Sequence, residues 1–594
     1  MTLSKKNLTI SIIPLLLLIW GLFIMAFFDP FYSRSSDPEY PYLVNGLNCA
    51  ILKFNFIGHY DHPGTPFQVF NGIIIRITYW ISGKDTIITD VFARPEHYMN
   101  AISTALLLIQ AGLTFLVGYW GTKRKIPYGQ IAILQASFLF NDILMWLFSR
   151  ANPDRFFMIP GLIFILIYLV HGYENRNPRK FALWSGTAMA LGLATKFNFL
   201  PVLILPLLLI DTNKNRLIYM GSGIISFFIF ISPIINKFDD YYRFLKSILF
   251  HDGLYGSGES NVLNFQKMID STKDIFKMNP ELLIFIVALI VLTFIAVRKR
   301  NEGTKGFIYL FGGYLFMIAF QILMVSKHFK NYYLAPTFIV YGFMFFTISL
   351  FLTKIMKHKR NLIIACNILP VLFFLFSAVK VKHEIPTISK EIAQHDKIRS
   401  FVDNQISKDD FWFVEPTWES GPHKENAIVY GLSYCGHREE YIPQLKAINP
   451  NIITYEGNNN QVKLWRGASV SLDSVVATGK NIYIYSTPGR QAHLLVQMIQ
   501  ETVTKNQLNL SVDTVYSDEA QEKILRLKAT TLSGAMPVYN PGNARQLKIE
   551  GYINAIKTTP EWLELVKKKA LDKNISLDSM ILLDAIYMVD SANK

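Results

Sequence analysis

Residues 8–28 read LTISIIPLLLLIWGLFIMAFF, a stretch without a charged side chain that is long enough to cross a lipid bilayer as one helix. Apolar runs recur ten more times before residue 381, most of them near the roughly 20 residues that a transmembrane helix needs. The sequence therefore predicts a polytopic α-helical membrane bundle of about 11 transmembrane helices over residues 1–380. The predicted spans are 8–28, 98–120, 128–147, 155–173, 181–197, 199–210, 217–236, 279–297, 306–325, 332–352 and 361–380.

The composition excludes several other classes of protein. Of the 594 residues, 51% are hydrophobic and only 17% are charged, and the mean hydropathy is +0.25. Disordered chains, collagens and coiled coils need more charge, more Gly and Pro, or a heptad repeat. Residues 1–381 hold 35 Lys and Arg against 19 Asp and Glu, whereas the remaining residues are nearly neutral. This uneven charge fits no simple nucleic-acid binder and indicates instead how the loops lie across a membrane.

Positive charge orients the predicted bundle, because loops rich in Lys and Arg stay on the cytoplasmic side. We therefore predict a multi-pass protein of the plasma membrane (the inner membrane of a bacterium) with a cytoplasmic N-terminus. Residues 29–97, 148–154, 237–278, 326–331 and the tail 381–594 would then lie outside. Every predicted inside segment is basic: Lys5 and Lys6, Lys123–Lys125, Arg176–Lys180, Lys214 and Arg216, Arg298–Lys305, and Lys354–Arg360.

Two of the predicted outer segments are too long to be plain connections. Within the loop 29–97, polar residues at helical spacing over 66–82 predict an amphipathic helix that lies on the outer leaflet. The tail 381–594 alternates strand signals, one of them at 427–434, with helix signals. It is predicted to be a soluble α/β extracytoplasmic domain. The sequence contains no nucleotide-binding loop, and its three cysteines show no spacing typical of a disulfide framework or a zinc site.

Acidic residues that could carry chemistry begin just outside the first span. Asp37 and Glu39 stand in SDPEYPYL, where a carboxylate held at the membrane surface suits a general base or a metal ligand. The plain alternative is a solvated turn. Asp61 and His62 follow in HYDHPGTP, directly before the predicted amphipathic helix.

Basic and aromatic residues mark the outer ends of later spans. Lys196, in GLATKFNF, would hold a lipid phosphate as a compact cation or would merely extend to the membrane surface. Arg150 and Asp154 share another outer turn, where they organise the first outer loop or Asp154 caps the next helix. A third cluster either clamps phosphate or terminates a helix, and it contains Lys327, His328 and Tyr332.

The order and the sidedness of these motifs resemble those of the GT-C glycosyltransferases, polytopic enzymes that use polyprenyl-phosphate sugars. Over about residues 1–350 the chain looks most like the protein O-mannosyltransferase and lipid A aminoarabinose transferase branches. Asp37 matches the acidic residue of the family's first outer loop. The remaining motifs that resemble the family's are Asp61-His62-Pro63, Arg150 with Asp154, GLATK ending at Lys196, and Tyr332 to Pro336.

The chain departs from the family pattern at two positions. The family often has two adjacent acids, whereas Pro38 separates Asp37 from Glu39 here. Gly64 stands where the family has the second proline of its His-Pro-Pro motif. The tail resembles no named soluble domain.

The resemblance implies transfer of a sugar from a polyprenyl-phosphate donor to a lipid, glycan or protein acceptor on the outer side of the membrane, with inversion. It makes Asp37 the general base and Glu39 the second candidate for that role. It requires no cofactor. No separate general acid is needed either, because a phosphate leaves as an anion. The substrate-binding residues that it implies are Asp61, His62, Arg150, Asp154, Lys196, Lys327, His328 and Tyr332.

Two other functions stay open. A metal-dependent oligosaccharide transferase or surface-glycan polymerase would use Asp37, Glu39 and Asp154 to bind a divalent cation such as Mg²⁺ or Mn²⁺ through oxygen. A lipid or glycan transporter or flippase would place ionisable groups near the middle of the bilayer. In this sequence they fall at the outer ends of spans, which favours chemistry at the membrane surface. The expected partners therefore include membrane lipids and exclude nucleic acid.

Overall fold

The computed structural model contains two compact units. The first comprises Met1–Arg399 together with Trp418–Ile448, and the second comprises Ser400–Thr417 together with Asn449–Lys594. The predicted domain boundary between residues 380 and 381 falls inside one continuous helix, Lys359–Gln405. The structure describes residues 5–61, 63–251, 258, 260, 261, 264–299, 301, 304–356, 359–456, 461–487, 490, 492–519, 521–531, 549, 551–553, 555–572 and 576–591.

Helices make up the first unit. Short 3₁₀ turns interrupt them, notably at Ser137–Leu139, Leu147–Ser149, Phe197–Leu203 and Asn331–Leu334. The helices are α1 Lys5–Phe28, α2 Phe31–Arg34, α3 Glu39–Ala50, α4 Thr65–Ser82, α5 Ile87–Ala93, α6 Pro95–Lys123, α7 Tyr128–Gln135, α8 Asp142–Trp146, α9 Pro153–Phe156, α10 Met158–Ile167, α11 Pro178–Thr195, α12 Ile204–Leu207, α13 Asn213–Ile231, α14 Phe238–Phe250, α15 Phe265–Met278, α16 Pro280–Arg298, α17 Lys305–Ser326, α18 Ala335–Ile339, α19 Tyr341–Ile355, α20 Lys359–Gln405, α21 Lys424–Leu432 and α22 Arg438–Ile448.

An apolar core holds the long helices together. Phe285 of α16, Tyr341 and Phe345 of α19, and Phe373 of α20 form a buried cluster with ring centroids 4.9–5.8 Å apart. Such aromatic pairs each contribute about 0.5–1.5 kcal/mol beyond the area that they bury. Large apolar side chains also cover the outward faces of the helices, as along α1 and α16. Exposed apolar surface of this extent is typical of a protein that contacts lipid.

Six helical segments among the described residues are long and apolar enough to cross a membrane, as in an integral membrane protein. The bent pair Asn331–Ile339 and Tyr341–Ile355 makes a seventh if it forms one span. The six are Leu8–Phe28, Pro95–Lys123, Pro153–Asn175, Asn213–Phe250, Pro280–Arg298 and Lys305–Ser326.

The count of six or seven over the described part of the chain is lower than the eleven predicted spans, and two of the predicted spans that it lacks are broken. The predicted span 128–147 splits into α7 and α8 around the 3₁₀ turn Ser137–Leu139. Where 199–210 was predicted, a 3₁₀ segment containing Pro201 leads into the single turn α12. A proline lacks the N–H that a helix interior needs, which explains the break there.

Helix α4 is the predicted amphipathic helix, and its polar face points inward. Gln68, Asn71 and Gly72 are buried against the protein, whereas the apolar residues Ile77 and Trp80 are exposed. A surface helix of a water-soluble protein has the opposite arrangement. The orientation of α4 therefore agrees with an apolar face that contacts lipid.

The second unit contains a mixed six-stranded sheet, which agrees with the predicted α/β class of the tail. The strand order is β3-β2-β1-β4-β6-β5; β1 pairs in parallel with β2 and β4, and the other pairs are antiparallel. The elements are β1 Phe411–Val414, β2 Ile452–Glu456, β3 Gln461–Leu464, α23 Leu472–Ala477, β4 Ile482–Ser486, α24 Ala492–Lys505, β5 Leu508–Ser517, β6 Lys523–Thr531, α25 Pro560–Asp572 and α26 Leu577–Ser591.

The predicted strand at 427–434 is wrong, because these residues lie mainly in helix α21 of the first unit. Every residue from Glu425 to Leu432 is buried, so this helix has no exposed polar face. Periodicity cannot distinguish a short, fully buried helix from a buried strand. This error concealed a contribution of the tail to the candidate site.

Candidate active site

Residues from distant outer-loop motifs meet where several helices begin or end. Arg150, after the turn Leu147–Ser149, binds Glu39 at the start of α3 with an Nε–Oε1 distance of 2.5 Å. Lys196, at the end of α11, binds Asp154 of α9. The residues from the sequence analysis that the structure brings together are Asp37, Glu39, Arg150, Asp154, Lys196 and Tyr332.

Asp37 is the accessible carboxylate of this group. It precedes α3, and its peptide bond to Pro38 is cis. Its Oδ1 accepts a hydrogen bond of 2.9 Å from the Tyr430 hydroxyl. Desolvation by the surrounding protein raises the pKa of Asp37 although the side chain reaches solvent. The hydrogen bond from Tyr430 and the charges of Arg150 and Lys196 oppose that rise. An accessible carboxylate that is held by a hydrogen bond is a suitable candidate for a general base.

Glu39 has a different environment, which does not suit the base role considered for it. Its side chain is fully buried. Arg150 binds both of its carboxylate oxygens, at 2.5 and 2.9 Å, and also donates to the backbone carbonyl of Asp37. Burial raises the pKa of Glu39, and the guanidinium opposes the rise. The pair therefore anchors the backbone that carries Asp37 instead of meeting a substrate.

Lys196 and Asp154 form a buried ion pair. The Nζ atom of Lys196 lies 2.9 and 3.1 Å from the two carboxylate oxygens, and the two side chains are 8% and 2% exposed. The ammonium also faces the rings of Tyr333 and Tyr332, at 4.5 and 5.3 Å from their centroids. Aromatic faces attract a cation electrostatically. Lys196 is thus held inside the protein, and it does not extend to the membrane surface.

The turn before α9 is fixed by Asn152 and Arg155. Asn152 caps α9 by accepting a hydrogen bond from the backbone N–H of Arg155, so Asp154 is not the cap considered from the sequence. The guanidinium of Arg155 is fully buried and donates to the backbone carbonyls of Arg150 and Ser103, each at 3.0 Å. Arg155 therefore holds the turn that carries Arg150.

The second acidic motif contributes Asp61, whereas His62 lies outside the described residues. Asp61 is half-buried, and burial raises its pKa to about 6. No ion pair to Asp61 is found over the described ranges. His59, two residues earlier, packs edge-on against Tyr42 with ring centroids 4.9 Å apart. Burial, and then the charge of Lys196, lower the pKa of His59 to about 4, so this imidazole is neutral at pH 7.

Tyr42 is a candidate functional residue that the sequence analysis missed. Its hydroxyl is buried on α3 and has no hydrogen-bond partner in the described part of the chain. Burial, and then the charges of Asp154, Asp61 and Asp37, raise its pKa, so the hydroxyl lies within the field of three carboxylates. A buried donor left unpaired costs about 1–3 kcal/mol, which makes the Tyr42 hydroxyl a candidate to bind an oxygen atom of a ligand.

The departure from the family pattern at Gly64 has a structural reason. Gly64 adopts a φ of +68°, which proline cannot reach. A Cβ atom at this position would also lie 2.5 Å from the Tyr42 hydroxyl oxygen. The absence of a side chain at Gly64 therefore makes room for the phenol ring and hydroxyl of Tyr42.

Lys327 and His328 have other described contacts. The Nζ atom of Lys327 donates to the backbone carbonyl of Leu249 at 2.6 Å. The ring of His328 lies 6.1 Å from that of Tyr333, and burial together with the charge of Lys330 lowers the pKa of His328. The role of Lys327 and His328 in binding phosphate therefore stays a prediction.

The described residues contain no group of three or more His, Cys, Asp or Glu side chains that could hold a metal ion. The metal-dependent alternative would use three acids. Two of them already form ion pairs with basic side chains, Glu39 with Arg150 and Asp154 with Lys196. A divalent metal ion would have to compete with these ion pairs, and metal dependence stays a prediction.

Comparisons with protein-family models and with curated proteins each found no match. Among solved structures, ArnT from Cupriavidus metallidurans bound to undecaprenyl phosphate matches with a TM-score of 0.45 and 11% identity, over 88% of this chain and 99% of that chain. The same protein in the apo state matches with a TM-score of 0.47 and 10% identity, over 86% and 97%. ArnT is a lipid A aminoarabinose transferase of the GT-C superfamily, the branch that the sequence motifs resemble. Both TM-scores lie below 0.5, so these matches assign no role to any residue.

Proposed function

We propose that this chain is an integral membrane glycosyltransferase that moves a sugar from a polyprenyl-phosphate donor to an acceptor on the outer side of the membrane, with inversion. The observation that carries the proposal is an accessible carboxylate, Asp37, which Tyr430 and Arg150 hold in place, together with a buried ammonium, Lys196, whose charge opposes the rise in the pKa of Asp37. The apolar outer faces of the neighbouring helices, including that of α4, offer the polyprenyl chain an environment like the bilayer.

In the proposed reaction an acceptor hydroxyl or amine attacks the anomeric carbon of the donor. The new bond forms opposite the bond to the phosphate oxygen, which breaks, so the configuration inverts. Asp37 takes the proton of the acceptor. The bonding electrons leave with the phosphate oxygen, and Lys196 stabilises the growing negative charge. An ammonium has three donors and Asp154 uses at most two of them, so one is left for the phosphate.

The test is an assay of the purified protein in lipid nanodiscs with a panel of radiolabelled polyprenyl-phosphate pentoses and hexoses. Lipid, glycan and peptide acceptors are each supplied, and thin-layer chromatography follows both the sugar and the released polyprenyl phosphate. We expect one donor to be consumed only when its acceptor is present. Movement of an intact lipid-linked sugar across vesicles, without cleavage, would support the flippase instead. Loss of transfer with a chelator, restored by Mg²⁺ or Mn²⁺, would favour the metal-dependent enzyme.

Tyr42→Phe is expected to lower kcat/KM by about 10–100-fold, because a hydrogen bond to a charged oxygen contributes about 1.5–3 kcal/mol. The same change removes an unpaired buried hydroxyl, so the thermal stability of the substrate-free protein should stay the same or increase. Tyr40→Phe is the matched control on the same helix, since the Tyr40 hydroxyl is already bound to Glu96 at 2.7 Å. It should lower stability and affect kcat/KM much less. Lower stability with unchanged kcat/KM in Tyr42→Phe would contradict the assignment.

The proposed orientation is tested by adding one cysteine at a time, at two positions. Ser389→Cys lies on α20 beyond the last predicted span, and Asn301→Cys lies in a basic loop. A membrane-impermeant thiol reagent added from outside should label Ser389→Cys and leave Asn301→Cys unlabelled, with the unsubstituted protein as background. The reverse pattern of labelling would show that the orientation is inverted.

A further inference from the structure

A segment of the tail belongs to the same compact unit as the candidate site. Residues 418–448, called here the return segment, contain α21 and α22 and pack with the first unit. From the sequence, the whole tail from residue 381 is predicted to be a separate soluble domain that carries no site residue. In the structure, α21 instead lies against α3, the helix that begins two residues after Asp37.

Hydrogen bonds anchor the return segment to α3. The Tyr441 hydroxyl donates to Oδ1 of Asn48 at 2.6 Å. The side-chain amide of Asn45 donates to the backbone carbonyl of Tyr434 at 2.9 Å. Asn45 and Asn48 are both fully buried, so these bonds satisfy polar groups that could not otherwise reach water.

The backbone of the return segment approaches the backbones of α3 and of the loop after α3 as closely as glycine permits. A Cβ atom at Gly431 would lie 2.9 Å from the backbone oxygen of Tyr40 on α3. At Gly58 a Cβ atom would clash with the backbone oxygen of Tyr434. A close fit at both positions indicates a built interface, because a loosely attached loop would leave room for side chains.

Tyr430 lies where the return segment meets the candidate base. Its hydroxyl donates to Oδ1 of Asp37 at 2.9 Å. The hydroxyl oxygen of Tyr434, one helical turn further on, lies 3.4 Å from that of Tyr430, and its ring packs against His59 with centroids 4.9 Å apart. The residues of the return segment therefore form one side of the site.

We infer that the return segment completes the catalytic site and that Tyr430 is a positioning residue, whose hydrogen bond holds the Asp37 carboxylate in place for the acceptor. This inference rests on the proposed function in one respect, which is that Asp37 accepts the acceptor's proton. It extends that function because it makes part of the tail necessary for the chemistry.

The hydrogen bond from Tyr430 favours the ionised form of Asp37 over the neutral form. Charged and titratable groups on other elements also face the Asp37 carboxylate. Replacement of Tyr430 leaves these groups unchanged. They are Arg150 before α9, Lys196 at the end of α11, and Glu39 and Tyr42 on α3. Removal of the Tyr430 hydroxyl alone should therefore raise the pKa of Asp37.

The experiment compares the pH dependence of kcat/KM in the full-length wild type and in Tyr430→Phe. We expect the midpoint of the acidic limb to move up by about one pH unit, since a hydrogen bond to a charged group is worth at least one pKa unit. Well above the limb, where Asp37 is ionised in both proteins, the loss should be much smaller. The midpoint does not depend on how much of the sample is folded, so a lower yield of the variant does not obscure the result.

Tyr441→Phe is the matched control, because it removes a hydroxyl that joins the same segment to the same helix without contact to Asp37. It should lower thermal stability and leave the midpoint of the acidic limb where it is in the wild type. A Tyr430→Phe midpoint identical to that of the wild type, or an equal shift in Tyr441→Phe, would overturn the positioning role.

A second measurement needs no turnover and so separates this inference from the proposed function. Thermal unfolding is followed against pH for the wild type, Tyr430→Phe, Asp37→Asn and the double variant. The destabilisation by Tyr430→Phe should grow as the pH rises through the pKa of Asp37. The reason is that the lost hydrogen bond stabilises the ionised form of Asp37 more than its neutral form. In the Asp37→Asn background the pH-dependent part should vanish. If it persists there, Tyr430 does not act through Asp37, whatever reaction the protein catalyses.

Discussion

Replacement of Asp37 by asparagine is expected to lower turnover by about 10²–10⁴-fold, the usual range for the loss of a general base. Asparagine keeps the size of the side chain and can still accept the hydrogen bond from Tyr430, but it cannot take a proton from the acceptor. Donor binding should change much less, because the proposed contact of Asp37 is with the acceptor. The measurements are kcat with the polyprenyl-phosphate sugar and donor affinity, on protein whose folding is checked by thermal unfolding.

Two neighbouring carboxylates serve as controls for Asp37→Asn. Glu39→Gln leaves Arg150 without the charge that it binds, so we expect lower thermal stability and a smaller loss of turnover than in Asp37→Asn. Asp61→Asn removes the other unpaired carboxylate of the site while leaving Asp37 intact. If Asp61→Asn, or well-folded Glu39→Gln, lost more turnover than Asp37→Asn, the base would have to be reassigned to that residue.

Lys196→Met is expected to weaken donor binding and also to destabilise the protein by about 3–5 kcal/mol, the cost of leaving one member of a buried ion pair without its partner. The partner is Asp154, whose side chain is only 2% exposed. The two effects have different causes: the first is the loss of a cation beside the donor phosphate, and the second is an uncompensated charge in the protein interior. Thermal unfolding measures the second, and a donor-binding isotherm measures the first.

The double variant Lys196→Met with Asp154→Asn separates these causes. It removes both charges, so it should recover much of the stability lost in the single variant, while donor affinity should stay low. Lys196→Arg keeps the positive charge and should retain part of the donor affinity, although the larger guanidinium must fit between Tyr332 and Tyr333. Full recovery of donor affinity in the double variant would show that Lys196 serves only to neutralise Asp154.

Much of the candidate site could be predicted from the sequence, because its charged residues stand out against apolar surroundings. Asp37, Arg150, Asp154 and Lys196 were each found in a short motif at the end of an apolar run. Their positions relative to the helices agree with that prediction, since Arg150 and Asp154 flank a helix start and Lys196 follows a helix end.

Tyr42 and Tyr430 could not be found in this way, because aromatic residues are common throughout the chain and neither lies in a charged motif. Tyr430 is 393 positions away from Asp37 in the sequence, within a stretch whose apolar character fitted a strand equally well. The breaks within the predicted spans 128–147 and 199–210 could not be predicted either, since hydropathy reports the length of an apolar run and does not report 3₁₀ turns within it.

The sequence by itself determined that this is an apolar, helical, membrane-embedded chain with an α/β tail, because hydropathy, helix length and turn chemistry are local properties of consecutive residues. Only the tertiary structure decided which acid is accessible. Asp37 and Glu39 are two residues apart. Asp37 is exposed to solvent and accepts a hydrogen bond from Tyr430, whereas Glu39 is buried and paired with Arg150. The physical reason is that burial and ion pairing depend on which distant segments pack together, and those contacts are set by the whole fold and are not encoded in any one motif.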